Sequence, residues 1–273
     1  MASRLFSGLL GLLLVLAPPA LAPQAMAAET IRPPIRDFDL RTLELLGGTI
    51  YRQDRAAWLA SDVLMAKIKD PAKEKIVGWI VVGHGDADTV RFLRDTGQGP
   101  QAGFDVEVTA KGAGKLTTPT DHALTDEERA AFAARTTAAQ VAPKPCAGSF
   151  NSVVAKDPTG DGWLVWLLSP AAAKNMIPIG GHYRFSISAD GKTIRQVDAL
   201  SASCLAMPPP QAPPGGKVAG LVASHVVSPT PVETHVFLSL AYRQPLYVVT
   251  GDQFWPVAGG RIGPPTAIKR QSP

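Results

Sequence analysis

The chain has 273 residues, of which 45% are hydrophobic, 18% charged and 7% aromatic, and its formal net charge is +4. This composition is typical of a globular protein and excludes a chain that is disordered throughout or collagen-like. The 25 prolines are nearly twice the usual share of about 5%, so long uninterrupted helices are not expected.

The N-terminal segment 1–27 has the features of a secretory signal peptide. Arg4 supplies a positive charge, residues 5–17 form a nearly continuous apolar run, and Ala25-Met26-Ala27 provides a small-residue cleavage site. The apolar stretch is shorter than the roughly 20 residues that a membrane-spanning helix needs. We therefore predict cleavage after Ala27, a periplasmic or secreted protein, and no membrane anchor after cleavage.

The region 28–142 is expected to form an N-terminal α+β half. Helices are predicted over 40–46 and 51–68, separated by Gly47-Gly48. Strands are predicted on both sides of a turn at 83–88, and again at 104–108. His84, Asp86 and Asp88 are interpreted as parts of that turn, although their alternation resembles a metal site.

A capping box marks the last helix of this half. Thr125 and Glu128 have the spacing at which the hydroxyl bonds to a free helix amide and the carboxylate bonds back to the cap. A helix is therefore predicted from Thr125 to about Ala139. Pro143 and Pro145 follow and suggest a boundary between the two halves.

The region 143–262 is expected to form a C-terminal β-rich half, followed by a flexible tail, 263–273. Its strands are predicted at 150–155, 163–168, 182–188, 192–197, 218–227, 232–240 and 246–249. A proline-rich loop at 207–217 interrupts them. The fold class predicted for the whole chain is α+β, an antiparallel β-sheet core with a few helices, mainly in the N-terminal half.

Cys146 and Cys204 are the only cysteines. In an oxidising compartment two cysteines most simply form one disulfide bond. The alternative is a reactive thiol with a histidine base, which requires that the cysteine stay reduced. We predict the disulfide.

A cluster of polar residues near the C-terminus is the main candidate for chemistry. If residues 229–231 form the turn of a hairpin, His225 lies opposite His235, and Glu233 shares their face. Two imidazoles and a carboxylate are a ligand set for a divalent metal such as zinc, and His182 is the candidate for a third imidazole. The same residues also suit a general acid–base pair, or ordinary hydrogen-bonded histidines on a strand.

Two hypotheses for function follow. The first is a non-catalytic protein that binds a small molecule or an envelope protein through a pocket between sheet and helices. It rests on export, on the lack of catalytic sequence motifs, and on aromatic residues in or near strands: Trp163, Trp166, Tyr183, Tyr247 and Trp255. The second is a metal-dependent hydrolase that uses His225, Glu233 and His235. Because Lys and Arg are scattered among acidic residues, no nucleic-acid partner is expected.

Three stretches of the C-terminal half resemble an uncharacterised group of exported bacterial proteins. They are Gly180-Gly181-His182-Tyr183-Arg184-Phe185, residues 233–239, and residues 245–250 with Trp255. The resemblance implies export but no activity for any residue.

Overall fold

The computed structural model describes residues 34–212 and 214–269. The predicted signal peptide, 1–27, lies outside the described residues, as does the end of the tail beyond residue 269. No helix in the described part of the chain has the length and apolar character needed to cross a membrane.

Three helices and fifteen strands form within the described ranges. The helices are α1 (Leu40–Lys67), α2 (Asp126–Gln140) and α3 (Glu233–Ala241). The N-terminal sheet is an antiparallel meander of β1 (Ile76–His84), β2 (Ala87–Asp95), β3 (Pro100–Thr109) and β4 (Gly112–Thr117). The central sheet, also antiparallel, has the order β5 (Asn151–Lys156), β6 (Trp163–Leu168), β8 (Tyr183–Ile187) and β9 (Ile194–Ala199).

The remaining strands form a small pair and a C-terminal sheet. The pair consists of β7 (Ile177–Pro178) and β10 (Ala206–Met207). The C-terminal sheet contains β11 (Leu221–Ser224), β12 (Leu246–Thr250), β13 (Gln253–Ala258), β14 (Arg261–Ile262) and β15 (Thr266–Ala267). The predicted α+β class with a β-sheet core is confirmed. One pair departs from the antiparallel pattern, because β11 and β12 are parallel.

The parallel pair explains why the predicted strand at 232–240 is wrong. Two parallel neighbours cannot be joined by a tight turn and need a crossover, which is usually a helix. Residues 233–241 form that helix, α3, and seven of its residues are buried. Because the first seven residues of this short helix are all buried, its sequence lacks the exposed polar face whose period would separate a helix from a strand.

Several other sequence predictions are confirmed. Helix α2 begins with the capping box, in which Thr125 accepts from the Glu128 amide and the Glu128 side chain accepts from the Thr125 amide. The turn between β1 and β2 pairs His84 with Ala87, so His84 and Asp86 belong to a hairpin. Strands β4 and β13 were not predicted, since glycines in β4 and Pro256 in β13 weaken the strand pattern.

The predicted break at Gly47-Gly48 is also wrong, because α1 runs through both glycines. Gly47 lies against α3, where an added Cβ would come 2.7 Å from the Glu233 carbonyl oxygen and would also overlap the Val236 side chain. An added Cβ at Gly48 would meet no atom within 4 Å. Gly47 therefore allows close contact between the two helices, and Gly48 has no such role.

Helix α1 connects two hydrophobic cores. Its first half contributes Leu43, Leu46 and Ile50 to a core shared with α3, the central sheet and the C-terminal sheet. Its second half packs Ala56, Ala60 and Leu64 on the N-terminal sheet. The helix therefore contacts elements from both sides of the boundary predicted between residues 142 and 143.

The predicted disulfide is confirmed between Cys146 and Cys204, whose Cα atoms are 5.6 Å apart. The bond joins the loop before β5 to the loop between β9 and β10. Its sequence separation is 58 residues, for which the chain-entropy model gives a stabilisation of about 4 kcal/mol.

A buried ion cluster, defined here as Arg184, Asp198 and Glu233, lies where the central sheet meets α3. Arg184 on β8 donates to Asp198 on β9 from Nε (3.0 Å) and Nη2 (2.7 Å), and from Nη1 to Glu233 Oε1 (2.9 Å) and Oε2 (3.1 Å). The Arg184 and Glu233 side chains are 0% exposed, and that of Asp198 is 2% exposed. Trp166 also donates from Nε1 to Glu233 Oε1, at 2.8 Å.

The segment before α1 is tied to the same cluster. The Arg36 amide donates to Asp198, and its carbonyl accepts from Arg184 Nη2. The Arg36 guanidinium binds Asp157 with two hydrogen bonds, of 2.5 and 3.0 Å. Burial raises the pKa of Asp157, but Arg36 and Thr159 outweigh that effect and the net pKa is lowered. The guanidinium groups of Arg36 and Arg184 both lie on the Phe38 ring, 4.8 and 4.7 Å from its centroid.

Gly47→Ala and Gly48→Ala form a matched pair of variants. We expect Gly47→Ala to lower the free energy of unfolding by about 1–3 kcal/mol, because the new methyl group overlaps α3. Gly48→Ala is expected to raise it by about 0.5–1 kcal/mol, since alanine favours a helix more than glycine does. Urea denaturation of both variants checks this, and equal effects of the two substitutions would show that the α1–α3 contact is not tight at Gly47.

Candidate functional site

The structure brings His225 and His235 together, but not through a hairpin. His225 follows β11 and His235 lies in the first turn of α3, and their rings meet edge to face with centroids 4.8 Å apart. His225 Nε2 is 2.8 Å from Ser228 Oγ, whose own hydrogen is donated to the Thr230 carbonyl. His225 therefore donates to Ser228 from Nε2. His235 Nδ1 accepts from the Val232 amide at 3.0 Å.

Glu233 and His182, the other two predicted metal ligands, are occupied by protein partners. Both oxygens of Glu233 accept hydrogen bonds from Arg184 within the buried ion cluster. His182 Nδ1 accepts from the Ser169 amide at 3.0 Å, and Nε2 lies 2.8 Å from the Pro178 carbonyl. Since an amide only donates and a carbonyl only accepts, His182 is a neutral ring that bridges two backbone segments.

These contacts argue against the zinc-type ligand set His225, Glu233, His235 and His182. Within residues 34–212 and 214–269, no three His, Cys, Asp or Glu side chains are grouped so that they could hold a metal ion. The metal-dependent hydrolase hypothesis therefore loses the site on which it was based. The sequence predicted that a hairpin would bring His225 and His235 together. They are in contact, but His225 lies in the loop after β11 and His235 in the first turn of α3.

Burial keeps the three histidines neutral. It lowers the pKa of His182 to about 4 and that of His225 to about 4. The pKa of His235 is lowered well below its usual value, first by burial and then by the neighbouring His225 and His182. The three rings are therefore packing and hydrogen-bonding elements at neutral pH.

A large cleft lies elsewhere, between the N-terminal sheet, α2 and the central sheet. It has a volume of about 630 Å³, within the range of about 300–1,000 Å³ that is usual for small-molecule sites. We call it the α2 cleft and define it by its lining residues. They come from α1 (Gln53), β1 (79–84), β2 (Thr89, Arg91), the α2 region (Thr125, Glu127, Glu128, Ala131, Arg135), β5 (Ser152, Val154) and β6 (Trp163).

The apolar walls of the α2 cleft come from strand alternation. On β5 the buried Val153 points into a hydrophobic core, so Ser152 and Val154 face the cleft. Trp163 at the start of β6 closes one side, and its indole Nε1 donates to the Ala189 carbonyl. Trp79 on β1 lines the cleft from the N-terminal sheet.

Arg91 is a fully paired cation in this cleft. It makes two hydrogen bonds to Asp105, of 3.0 and 2.8 Å, and a third to Glu128 Oε1, of 2.6 Å. These hydrogen bonds and charges, that of Asp105 first, raise the pKa of Arg91. Since Glu128 also caps α2, this network fixes the start of α2 on the N-terminal sheet.

Arg135 also lines the cleft, but within the described part of the chain it lies on an aromatic ring instead of pairing with carboxylates. Its guanidinium carbon is 3.4 Å from the centroid of the Trp79 ring, and Nη1 donates to the Trp79 carbonyl at 2.7 Å. Among the described residues, no carboxylate lies within 4.0 Å of its guanidinium nitrogens. Burial lowers the pKa of Arg135 to about 10, so it remains charged at neutral pH. Of the five N–H donors of a guanidinium, only Nη1 of Arg135 has an assigned acceptor among the described residues, the Trp79 carbonyl.

A second cation stacks on the other tryptophan of the cleft. Lys156 Nζ lies 3.9 Å from the centroid of the Trp163 ring and 3.8 Å from a carboxylate oxygen of Glu127. The Lys156 and Glu127 side chains are both largely exposed, so this ion pair is weak. Lys156 is not itself a lining residue of the α2 cleft, so Arg135 on Trp79 is the cation that lies on an aromatic wall within it.

Comparisons with protein-family models, with curated proteins and with solved structures find no match to this chain. The resemblance to an exported bacterial family accordingly stays a prediction. Function has to be inferred from the geometry of the clefts.

The sequence interpretation missed Trp79 and Arg135. A signal for Arg135 exists, because it is the only charged residue between Ala130 and Gln140 of an alanine-rich helix. Such an isolated cation indicates a position with a specific contact. Its pairing with Trp79, however, depends on how α2 packs on β1, which no local pattern contains.

The buried histidines predict loss of stability in acid. Each ring must stay neutral in the folded protein but gains a proton on unfolding. Its contribution to the free energy of unfolding is therefore complete above pH 6.5 and is lost as the pH falls toward 4. Between pH 7 and pH 5 we expect a loss of about 2 kcal/mol from each of His182 and His225. Urea denaturation at several pH values measures the slope of the free energy of unfolding against pH.

His225→Gln tests the source of that slope. It is expected to reduce the slope between pH 7 and pH 5, because one proton fewer is taken up on unfolding. His84→Gln is the matched control, since His84 is exposed in the β1–β2 turn. If both variants had the wild-type slope, the assignment to His225 would be wrong.

Proposed function

We propose that this is an exported periplasmic protein that binds a small amphipathic anion in the α2 cleft, without catalysis. The observation that carries the proposal is the Arg135 guanidinium, which is stacked on Trp79 and has no carboxylate partner among the described residues. An aromatic or aliphatic body would contact the tryptophans and valines, and an acidic group would bind Arg135.

The charges of the cleft support an anion over a cation. Arg91 is already neutralised by two carboxylates, so it offers little to a ligand. Arg135 keeps its charge in a partly desolvated position, where a hydrogen bond to a charged group contributes about 1.5–3 kcal/mol. A carboxylate, sulfonate or phosphate that approaches Arg135 can accept two parallel hydrogen bonds from it.

Export is supported by independent features. The disulfide Cys146–Cys204 is typical of an oxidising compartment. The N-terminal segment has the composition of a cleaved signal. These features fit a protein that meets its ligand in the periplasm or outside the cell.

The test compares two probes with the same body, 2-naphthoate and the uncharged 2-naphthalenemethanol. We expect 2-naphthoate to bind more tightly, and Arg135→Gln to weaken its binding by about 10–100-fold, which corresponds to about 1.5–3 kcal/mol. The same substitution should change binding of the alcohol less than two-fold. Tryptophan fluorescence is the readout, because Trp79 and Trp163 line the cleft.

Arg129→Gln is the matched control, since Arg129 lies on the same helix but outside the cleft lining. It should bind 2-naphthoate like the wild type. Equal affinity of the wild type for both probes, or equal loss in both arginine variants, would contradict the proposal.

A further inference from the structure

A second, smaller cleft of about 310 Å³ lies on another part of the molecule. It is formed by α1, the ends of β5 and β6, β7 and the C-terminal end of α3, and we call it the α3 cleft. Its lining residues are Asp54, Asn151, Leu168, Ser169, Pro170, Ala171, Pro178, Phe237, Ala241 and Tyr242. It shares no lining residue with the α2 cleft.

Ser169 presents a polar atom that the protein leaves without a partner. The residue is 4% exposed, and its Oγ is one of two buried side-chain oxygens without a hydrogen-bond partner in the described part of the chain. Buried hydroxyls are normally paired, so an unpaired one in a cleft indicates a missing ligand group or water. His182 holds Ser169 in place by accepting from its amide.

Asp54 supplies a negative charge to the same cleft. Its carboxylate has no hydrogen-bond donor and no cation within bonding distance among residues 34–212 and 214–269. Burial raises the pKa of Asp54 to about 6, because nothing offsets the desolvation of the carboxylate. Burial, and to a smaller extent the charge of Asp54, raise the pKa of Tyr242, which also lines the cleft.

The end of α3 adds to this negative field. Ala241 is the last residue of the helix and Tyr242 is its C-cap, and both line the cleft. The last carbonyl groups of a helix lack intrahelical partners and carry partial negative charge, which favours a cation. Leu168, Pro170 and Phe237 provide apolar walls around these polar groups.

We propose that the α3 cleft binds a small organic cation, an ammonium group on a compact apolar body. The ammonium would bind Asp54 and donate to Ser169 Oγ, and the body would contact Leu168, Pro170 and Phe237. This site is separate from the α2 cleft, and it does not depend on the anion site proposed there.

Phenethylammonium and the uncharged 2-phenylethanol are the probes for this site, with binding measured by calorimetry. We expect saturable binding of phenethylammonium to the full chain, and at least a five-fold loss in Asp54→Asn. Asp54→Asn removes no hydrogen bond or ion pair within the described residues, so it should fold. Binding of 2-phenylethanol should be the same in the wild type and Asp54→Asn.

Asp62→Asn is the matched control, because Asp62 is exposed on the same helix and lines neither cleft. It should bind phenethylammonium like the wild type, whereas Ser169→Ala should weaken binding. Arg135→Gln should leave this binding unchanged, which separates the result from that of the anion site. No saturable binding of phenethylammonium, or a loss below five-fold in Asp54→Asn, would overturn the proposal.

Discussion

The structure depends on one buried guanidinium, that of Arg184. It makes hydrogen bonds to Asp198 on the neighbouring strand, to Glu233 at the start of α3 and to the Arg36 carbonyl before α1. Three parts of the chain that are far apart in sequence are therefore joined at one point. Removing a single partner of such a buried group leaves an uncompensated charge, which costs about 3–5 kcal/mol. The orientation of α3, and with it the close contact at Gly47, is tied to this cluster.

Some charged side chains in the interior and the clefts have ion partners, and others have none within the described residues. Arg184 and Arg91 have carboxylate partners and hold elements together, whereas Arg135 lies on Trp79 and has no carboxylate partner among the described residues. Asp198 is likewise paired, and Asp54 has no partner in the same part of the chain. Arg135 and Asp54 each line a cleft with apolar walls. We propose that these two groups, which no ion partner neutralises within the described residues, bind an anion and a cation respectively.

Local patterns predicted the parts of the fold that local chemistry determines. The structure confirms the capping box at Thr125 and the hairpin turn after His84, which follow from short sequence motifs. It also confirms the disulfide, which was inferred from export into an oxidising compartment. Helix α3 could not be predicted in this way, because the parallel pairing of β11 and β12 requires it. The same holds for Glu233, which was interpreted as a metal ligand and instead binds Arg184, 49 residues away in sequence.

A double-mutant cycle between Arg184 and Glu233 tests the central claim most directly. The free energy of unfolding is measured by urea denaturation for the wild type, Arg184→Met, Glu233→Gln and the double variant. If Arg184 joins these elements, Arg184→Met alone loses about 3–5 kcal/mol, and the double variant loses less than the sum of the single losses by about 1–3 kcal/mol. Additive losses, or a loss below about 1 kcal/mol for Arg184→Met, would contradict the account.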